Sequence, residues 1–114
     1  MDLDIRENGI FCTLKLKGRL VCGEPVSQFE TAFQHTLSTG HIFLILNLEA
    51  VPYLDSSGIG SLVNALRISS KSGGSTKLIK PTDIVSKMLK MVGVLNLFGV
   101  FENEDDAVAA CTCS

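Results

Sequence analysis

The sequence predicts a single α/β domain with a mixed sheet of four or five strands and about four helices, packed mainly on one side. Three observations predict this fold. Alternating apolar and polar residues flank an Asn-Gly pair near the start, as in an antiparallel hairpin. A wholly apolar run at 42–46 is typical of a strand covered on both faces. Strand, helix and strand patterns then follow one another within about 40 residues, which indicates a βαβ unit.

Length and composition allow one domain, 1–114, with one apolar core. Hydrophobic residues make up 46% of the chain and charged residues 19%, which excludes disorder for most of it. The formal net charge is −2 and tryptophan is absent, so nucleic acid is not expected as the main ligand. The acidic start and the short apolar runs predict no secretory signal and no membrane span, and a cytoplasmic location is the expectation.

The first element is the hairpin. The pair Asn8-Gly9 separates the two alternating stretches, and both residues tolerate the positive φ of a tight turn. We predict a turn over 7–10 with Asn8 and Gly9 at its tip. A bend into another short extended piece is expected at 18–20, Gly-Arg-Leu.

From Glu24 the apolar period becomes that of a helix. The stripe consists of Val26, Phe29, Phe33 and Leu37. Residues 42–48 are then apolar at six of seven positions and predict a central strand. Because such a strand is covered on both faces, we expect Ile45 and Leu46 to be nearly inaccessible.

The second half of the chain continues the alternation of helices and strands. A helix is predicted from about Ser57, a strand over 76–80 and a third helix from Thr82. A short apolar stretch follows at 97–101. Asn103 is suited to cap a last short helix, whose first turn is acidic, as the helix dipole favours.

The four cysteines predict reduced thiols. No pair forms a Cys-x-x-Cys motif, and His35 and His41 fall in no zinc-finger spacing, so neither zinc nor a structural disulfide is expected. Cys12 is interpreted as a small core residue, while Cys111 and Cys113 are placed on a fraying tail, 111–114.

The segment 53–60, Tyr-Leu-Asp-Ser-Ser-Gly-Ile-Gly, contains the candidate functional residues. It lies where the central strand turns into the second helix, at the sheet edge where functional groups collect in α/β folds. Helix capping by one of the three polar residues is the simplest explanation of the polar part. Two glycines in a first turn indicate in addition a close approach of another backbone, or tight packing of helix on sheet. The polar residues are Asp55, Ser56 and Ser57, and the glycines are Gly58 and Gly60.

Several enzyme classes do not fit the segment. Val63 breaks the dinucleotide-binding fingerprint, and the chain has no phosphate-binding loop of the NTPase kind. Ser56 does not lie in a Gly-x-Ser-x-Gly elbow, and nothing in the sequence brings His35 or His41 near it. Serine catalysis is therefore disfavoured.

At residues 54–60 the chain resembles the STAS domain family and, within it, the bacterial anti-sigma factor antagonists. The bend at 18–20 is similar to the family's Gly-x-Leu bend. The strand at 74–78 and the closing segment at 88–110, with its Val-Phe pair and acidic, Ala-rich helix, are similar as well. The resemblance covers roughly 3–110 of the chain.

The resemblance implies a non-enzymatic switch by partner exchange, without cofactor or metal. In the family, the serine directly after the motif aspartate is phosphorylated by a kinase that is also an anti-sigma factor, and this position maps onto Ser56. The unmodified antagonist binds that kinase, which has a histidine-kinase-like ATPase fold, and frees the sigma factor. Phosphorylation breaks the complex, and a PP2C-type phosphatase restores it. The implied partner-binding and switch residues are Asp55, Ser56, Ser57, Gly58 and Gly60.

One position departs from the family pattern. Many antagonists carry Asp directly after the Gly-x-Leu bend, whereas this chain has Val21, and its nearest acid is Glu24. A different kinase, weaker binding or use of Glu24 are the alternatives. A STAS scaffold or lipid-transport accessory module without a phosphorylation cycle is the second hypothesis, and a serine enzyme is the third.

Overall fold

Five strands lie side by side in the order in which the chain produces them. The computed structural model describes residues 1–112. Its elements are β1 (Asp2–Asn8), β2 (Phe11–Lys17), α1 (Glu24–Ser38), β3 (Phe43–Ala50), α2 (Ser56–Lys71), β4 (Ser75–Ile79), α3 (Asp83–Met91), a 3-10 turn (Leu95–Leu97), β5 (Gly99–Phe101) and α4 (Glu104–Thr112). The β1–β2 pair is antiparallel and the other pairs are parallel, so the predicted mixed sheet is confirmed.

The hairpin turn is confirmed over 7–10, but its tip lies one residue later than predicted. Asn8 pairs with Phe11, so the loop consists of Gly9 and Ile10. Gly9 has φ +63° and Ile10 does not have a positive φ. A two-residue loop with glycine at its first central position needs positive φ only there. Asn8 therefore remains in the strand.

The central strand β3 is covered on both faces, as predicted. Ile45 and Leu46 have exposed fractions of 0%, and they point to opposite faces because strand side chains alternate. Leu46 belongs to the larger core, and Ile45 packs in a smaller cluster with Ile79 and Ala107.

Three helices cover one face of the sheet and α4 covers part of the other. The larger core contains Phe29 and Phe33 of α1, Leu62 of α2 and Leu89 of α3. The chain crosses the sheet in one direction, and the near-universal right-handed crossover then places successive helices on the same side. The smaller cluster includes Ala107 of α4, so the predicted arrangement, mainly one-sided, is confirmed.

The start of the last helix is fixed by a cap and by hydrogen bonds to the hairpin. Its predicted cap is confirmed, since Oδ1 of Asn103 accepts the N–H of Asp106 at 2.8 Å. The Glu104 carboxylate accepts hydrogen bonds from the Thr13 hydroxyl and from Nη2 of Arg6, 2.6 Å away. These bonds, with Arg6 the largest cause, hold the pKa of Glu104 below its usual range. The start of α4 is thereby tied to the hairpin.

The thiols of the described cysteines are free. Cys12 is a fully buried core residue, as predicted. The expected tail begins later than 111, because Cys111 is buried in α4 with its sulfur 3.4 Å from Oγ of Ser75. Cys113 lies outside the described residues. No helix among residues 1–112 combines the length and apolar character that crossing a membrane requires.

Candidate functional site

The motif begins with a capped helix. Asp55 follows β3 and adopts an extended conformation, with φ −101°, at the N-cap position of α2. Its Oδ1 accepts the N–H of Gly58 at 2.8 Å, which satisfies one of the free donors of the first turn. Of the three residues that could cap this helix by sequence, Asp55 is the one that does so.

The second oxygen of the same carboxylate binds a different segment. Oδ2 of Asp55 accepts the backbone N–H of Cys22 at 2.8 Å. The hydrogen bond from Cys22 and then that from Gly58 hold the pKa of Asp55 below its usual range. A charged Asp55 therefore fastens the connection between β2 and α1 to the start of α2.

Leu20 lies directly against the motif and explains Gly58. Leu20 and Leu54 form a parallel bridge, with the N–H of Leu20 donating to the carbonyl of Tyr53 at 3.1 Å. A Cβ on Gly58 would lie 2.1 Å from the Leu20 carbonyl oxygen. Only glycine allows α2 to approach this backbone, so the close approach expected from the sequence occurs at Gly58.

Ser56 is the first residue of α2 and is exposed, with Asp55 beside it. Its hydroxyl forms no hydrogen bond to the chain within residues 1–112. Ser57 is half-buried. Because Asp55 supplies the cap, the Ser56 hydroxyl is available to other molecules.

Gly60 differs from Gly58. It is exposed, and a Cβ built there meets no heavy atom within 4 Å. Ser56 and Gly60 are four residues apart and share one face of the helix. The chain itself therefore does not require glycine at position 60.

The structure adds contacts that the sequence did not indicate. The N–H of Cys22 donates to Asp55, and the Arg19 guanidinium lies 5.3 Å from the centre of the exposed Tyr53 ring, at the start of the motif. The similarity of the bend at 18–20 to the family pattern was the available signal. A backbone N–H gives no signal of its own, since nearly every residue has one.

The serine-enzyme alternative gains no support from the histidines. Nδ1 of His41 lies 2.5 Å from the carbonyl oxygen of Gly9, and its Nε2 lies 2.8 Å from the Glu7 carboxylate. This ring is therefore engaged at the hairpin end of β3, whereas Ser56 follows the opposite end of that strand. His35 is exposed in the last turn of α1.

A cleft of about 410 Å³ lies on the α4 side of the sheet, lined by residues that include Thr13, Lys15, Asn47 and Glu104. No motif residue lines it. The motif instead occupies an open surface at the start of α2, with Ser56 and Gly60 both exposed. Such a surface suits docking by a macromolecule better than enclosure of a small ligand.

Fold and site thus define a small α/β domain that presents a short polar motif at an open helix N-terminus. Residues 2–107 match the STAS domain family, and the chain belongs to it. STAS domains of the anti-sigma antagonist type are generally not enzymes.

The chain is similar to proteins with related names. It is 28% identical over 76 residues to a protein of Thermotoga maritima named as a candidate anti-sigma factor antagonist, covering 67% of each chain. It is 25% identical over 65 residues to the anti-sigma F factor antagonist of Paenibacillus polymyxa. That match spans 57% of this chain and only 56% of the relative.

The fold is similar to that of the solved anti-sigma factor antagonist SpoIIAA. The unphosphorylated form superposes with a TM-score of 0.82 and 22% identity, covering 96% of this chain and 95% of that one. The phosphorylated form of the Bacillus protein has a TM-score of 0.76 and 21% identity, covering 96% and 98%. At these identities the likeness establishes the fold.

Proposed function

We propose that this chain is an anti-sigma factor antagonist that binds an anti-sigma factor serine kinase and is switched by phosphorylation of Ser56. One observation carries the proposal. Ser56 is exposed at the start of α2, makes no hydrogen bond to residues 1–112, and directly follows Asp55. The names of the relatives support it, as does the existence of SpoIIAA in unphosphorylated and phosphorylated forms.

The unmodified chain docks the kinase with the surface around Asp55, Ser56, Ser57, Gly58 and Gly60. Binding sequesters the kinase and frees its sigma factor, and a PP2C-type phosphatase later removes the phosphate. The cycle requires ATP, so the cytoplasm is the proposed location. The domain itself catalyses nothing and requires no cofactor.

The switch acts through charge at the interface. A phosphate on Ser56 adds about −1.5 to −2 charges next to the Asp55 carboxylate. The N-terminus of α2 tolerates this anion, because its free N–H groups and the helix dipole favour negative charge. A kinase surface that fits a neutral serine must instead desolvate the new charges and face their repulsion. The fold is therefore retained while the complex dissociates.

Val21 and Glu24 bear on the choice of kinase. Val21 is half-buried, and its carbonyl accepts the N–H of Val26 at 3.3 Å. Glu24 is the first residue of α1. Among the described residues, its exposed carboxylate accepts a side-chain hydrogen bond only from Nε2 of Gln28. Glu24 therefore remains the candidate to replace the aspartate that many antagonists carry directly after the bend.

The test begins with co-purification of the kinase from the native host, followed by incubation with ATP and mass spectrometry. We expect one phosphate on the wild type, none on Ser56→Ala and one on Ser57→Ala. Phosphate only at Ser57 would refute the assignment of the acceptor. A chain that neither binds a kinase nor gains phosphate would favour the scaffold or lipid-transport alternative.

A pull-down with the same kinase tests the charge mechanism. Ser56→Asp should lose at least ten-fold in affinity, whereas Ser70→Asp should bind as the wild type does. Ser70 is exposed in the last turn of α2, about 21 Å along the helix from Ser56. Circular dichroism of both variants controls for folding. Equal binding by Ser56→Asp and wild type would contradict the electrostatic switch.

A further inference from the structure

The outer edge of β1 is uncovered. β1 is the first strand in the sheet, has seven residues, and six of them are exposed. No strand pairs with its outer side in the part of the chain that the structure describes. The opposite edge, β5, has three residues and is packed against α4. A long open edge presents unpaired backbone groups and is a template for strand addition.

The hairpin register determines which backbone groups face outward. In a two-residue hairpin the residues that flank the loop form a hydrogen-bonded pair, here Asn8 and Phe11, and bonded and non-bonded pairs then alternate. The N–H and C=O groups of every second residue of β1 therefore point away from β2. These residues are Leu3, Ile5 and Glu7.

We propose that β1 pairs antiparallel with β1 of a second copy of this chain, about a twofold axis at Ile5. In this register Ile5 faces Ile5 of the second copy, and Leu3 faces its Glu7. All outward N–H and C=O groups of these residues then pair across the interface. Two five-stranded sheets join into one continuous sheet.

The charges of β1 select this register. Asp4 lies opposite Arg6 of the second copy, and the symmetry repeats the pair. A slip by two residues sets Asp4 against Asp4, or Arg6 against Arg6. An in-register parallel pair also opposes like charges, which is destabilising. The antiparallel register centred on Ile5 is therefore the self-complementary one.

Existing ion pairs extend across the proposed interface. Nζ of Lys17 lies 3.1 Å from Asp4, and Arg6 lies 2.6 Å from Glu104. Along this face of the joined sheet the charges alternate in sign. They belong to Lys17 and Asp4 of one copy and then to Arg6 and Glu104 of the second copy. On the other face of the sheet, Ile5 is 48% exposed and would be covered by Ile5 of the second copy.

The surface that two paired strands bury is small compared with a standard interface of about 1,600 Å². The dimer is therefore weak, reversible and dependent on concentration. β1 contributes no residue to the motif at 53–60, so both copies keep Ser56 available. The proposal does not depend on the proposed kinase cycle.

Sedimentation velocity of the full chain over a concentration series tests the dimer. The wild type should shift from monomer to dimer as its concentration rises. Ile5→Pro should remain monomeric at the same concentrations. The N–H of Ile5 points away from β2, so proline removes a bond to the second copy and none within the hairpin. Ile5→Thr, which keeps this N–H, serves as the matched control and should retain dimerisation, weakened less than in Ile5→Pro.

Mixing two charge variants gives the sharper test. Asp4→Arg and Arg6→Asp each place like charges opposite each other and should be monomeric alone. An equimolar mixture restores both opposite pairs, so a heterodimer should reappear. A wild type that is monomeric at every concentration would overturn the proposal, as would a dimer unaffected by Ile5→Pro. A mixture no more associated than either variant would overturn the register, and circular dichroism establishes that both variants are folded.

Discussion

The two sides of the first turn of α2 differ in whether contacts with the rest of the chain determine their residues. On the inner side, Asp55 binds Cys22 and Gly58, and Gly58 lies against the Leu20 backbone. On the outer side, Ser56 makes no hydrogen bond to residues 1–112, and Gly60 has open space where its Cβ would be. The motif thus combines residues that the fold requires with residues that it does not.

Gly60 is the clearest case on the outer side. Of the ten glycines, six have positive φ, and three others would bring a Cβ within 3 Å of another atom. Gly60 alone has neither property. Since glycine in a helix is destabilising by about 0.5–1 kcal/mol relative to alanine, a requirement outside the fold explains it better.

The largest effect should come from Gly58→Ala. Its new methyl group would lie 2.1 Å from the Leu20 carbonyl oxygen, so α2 or the loop must move. We expect a loss of about 1–3 kcal/mol in the free energy of unfolding, measured with urea. Gly60→Ala is the matched control, two residues away. Equal stabilities of the two alanine variants would remove the distinction between the two sides.

Acidification should remove the stabilising contribution of Asp55 on the inner side. The pKa of Asp55 is lowered in the folded state, so its contribution to stability is complete above the usual Asp value of about 3.9. It is lost as the pH falls through the lower folded pKa. Urea unfolding of the wild type and Asp55→Asn should therefore converge at low pH, and a stability difference that persists unchanged below the folded pKa would contradict this role of the Asp55 carboxylate.

Gly60→Ala should raise stability by about 0.5–1 kcal/mol, because alanine favours the helix and meets no neighbour. Under the proposed function, the same variant should bind the kinase less tightly. Urea unfolding and a pull-down measure the two effects on one sample. Kinase binding unchanged from wild type would exclude Gly60 from the docking surface.

Ser56→Ala should have the smallest effect on folding. Its hydroxyl forms no bond to the described chain and Asp55 keeps the cap, so stability should change by less than about 0.5 kcal/mol. Thermal unfolding checks this. A larger loss would mean that Ser56 also stabilises the fold, and the distinction between the inner and outer sides would be wrong.

Local patterns predict the elements well. Hydrophobic periodicity places α1, a continuous apolar run places β3, and the acidic turn after Asn103 places α4, because each depends on residues close in sequence. The hairpin tip is displaced because Asn8-Gly9 fits a turn with two positive φ values, whereas the chain needs only one, at Gly9.

The parts that the sequence could not predict depend on distant contacts. Nothing near Cys22 indicates that its N–H meets a carboxylate 33 residues away. Cys111 is interpreted as a tail residue from its position in the chain, but it is buried and its thiol reaches Ser75. The contrast between Gly58 and Gly60 likewise depends on Leu20, which approaches only one of them.

The agreement between strand order and chain order has a consequence for biosynthesis. A ribosome releases the chain from its N-terminus at about 5–20 residues per second. Each strand that emerges finds its neighbour already made, and none has to be inserted between two others. The nascent sheet therefore has one growing edge, which moves from β2 to β5, and α4 packs on the face of β3, β4 and β5 soon after β5 is released. The outer edge of β1, the first of the five strands to be made, is left unpaired by the four strands that follow it.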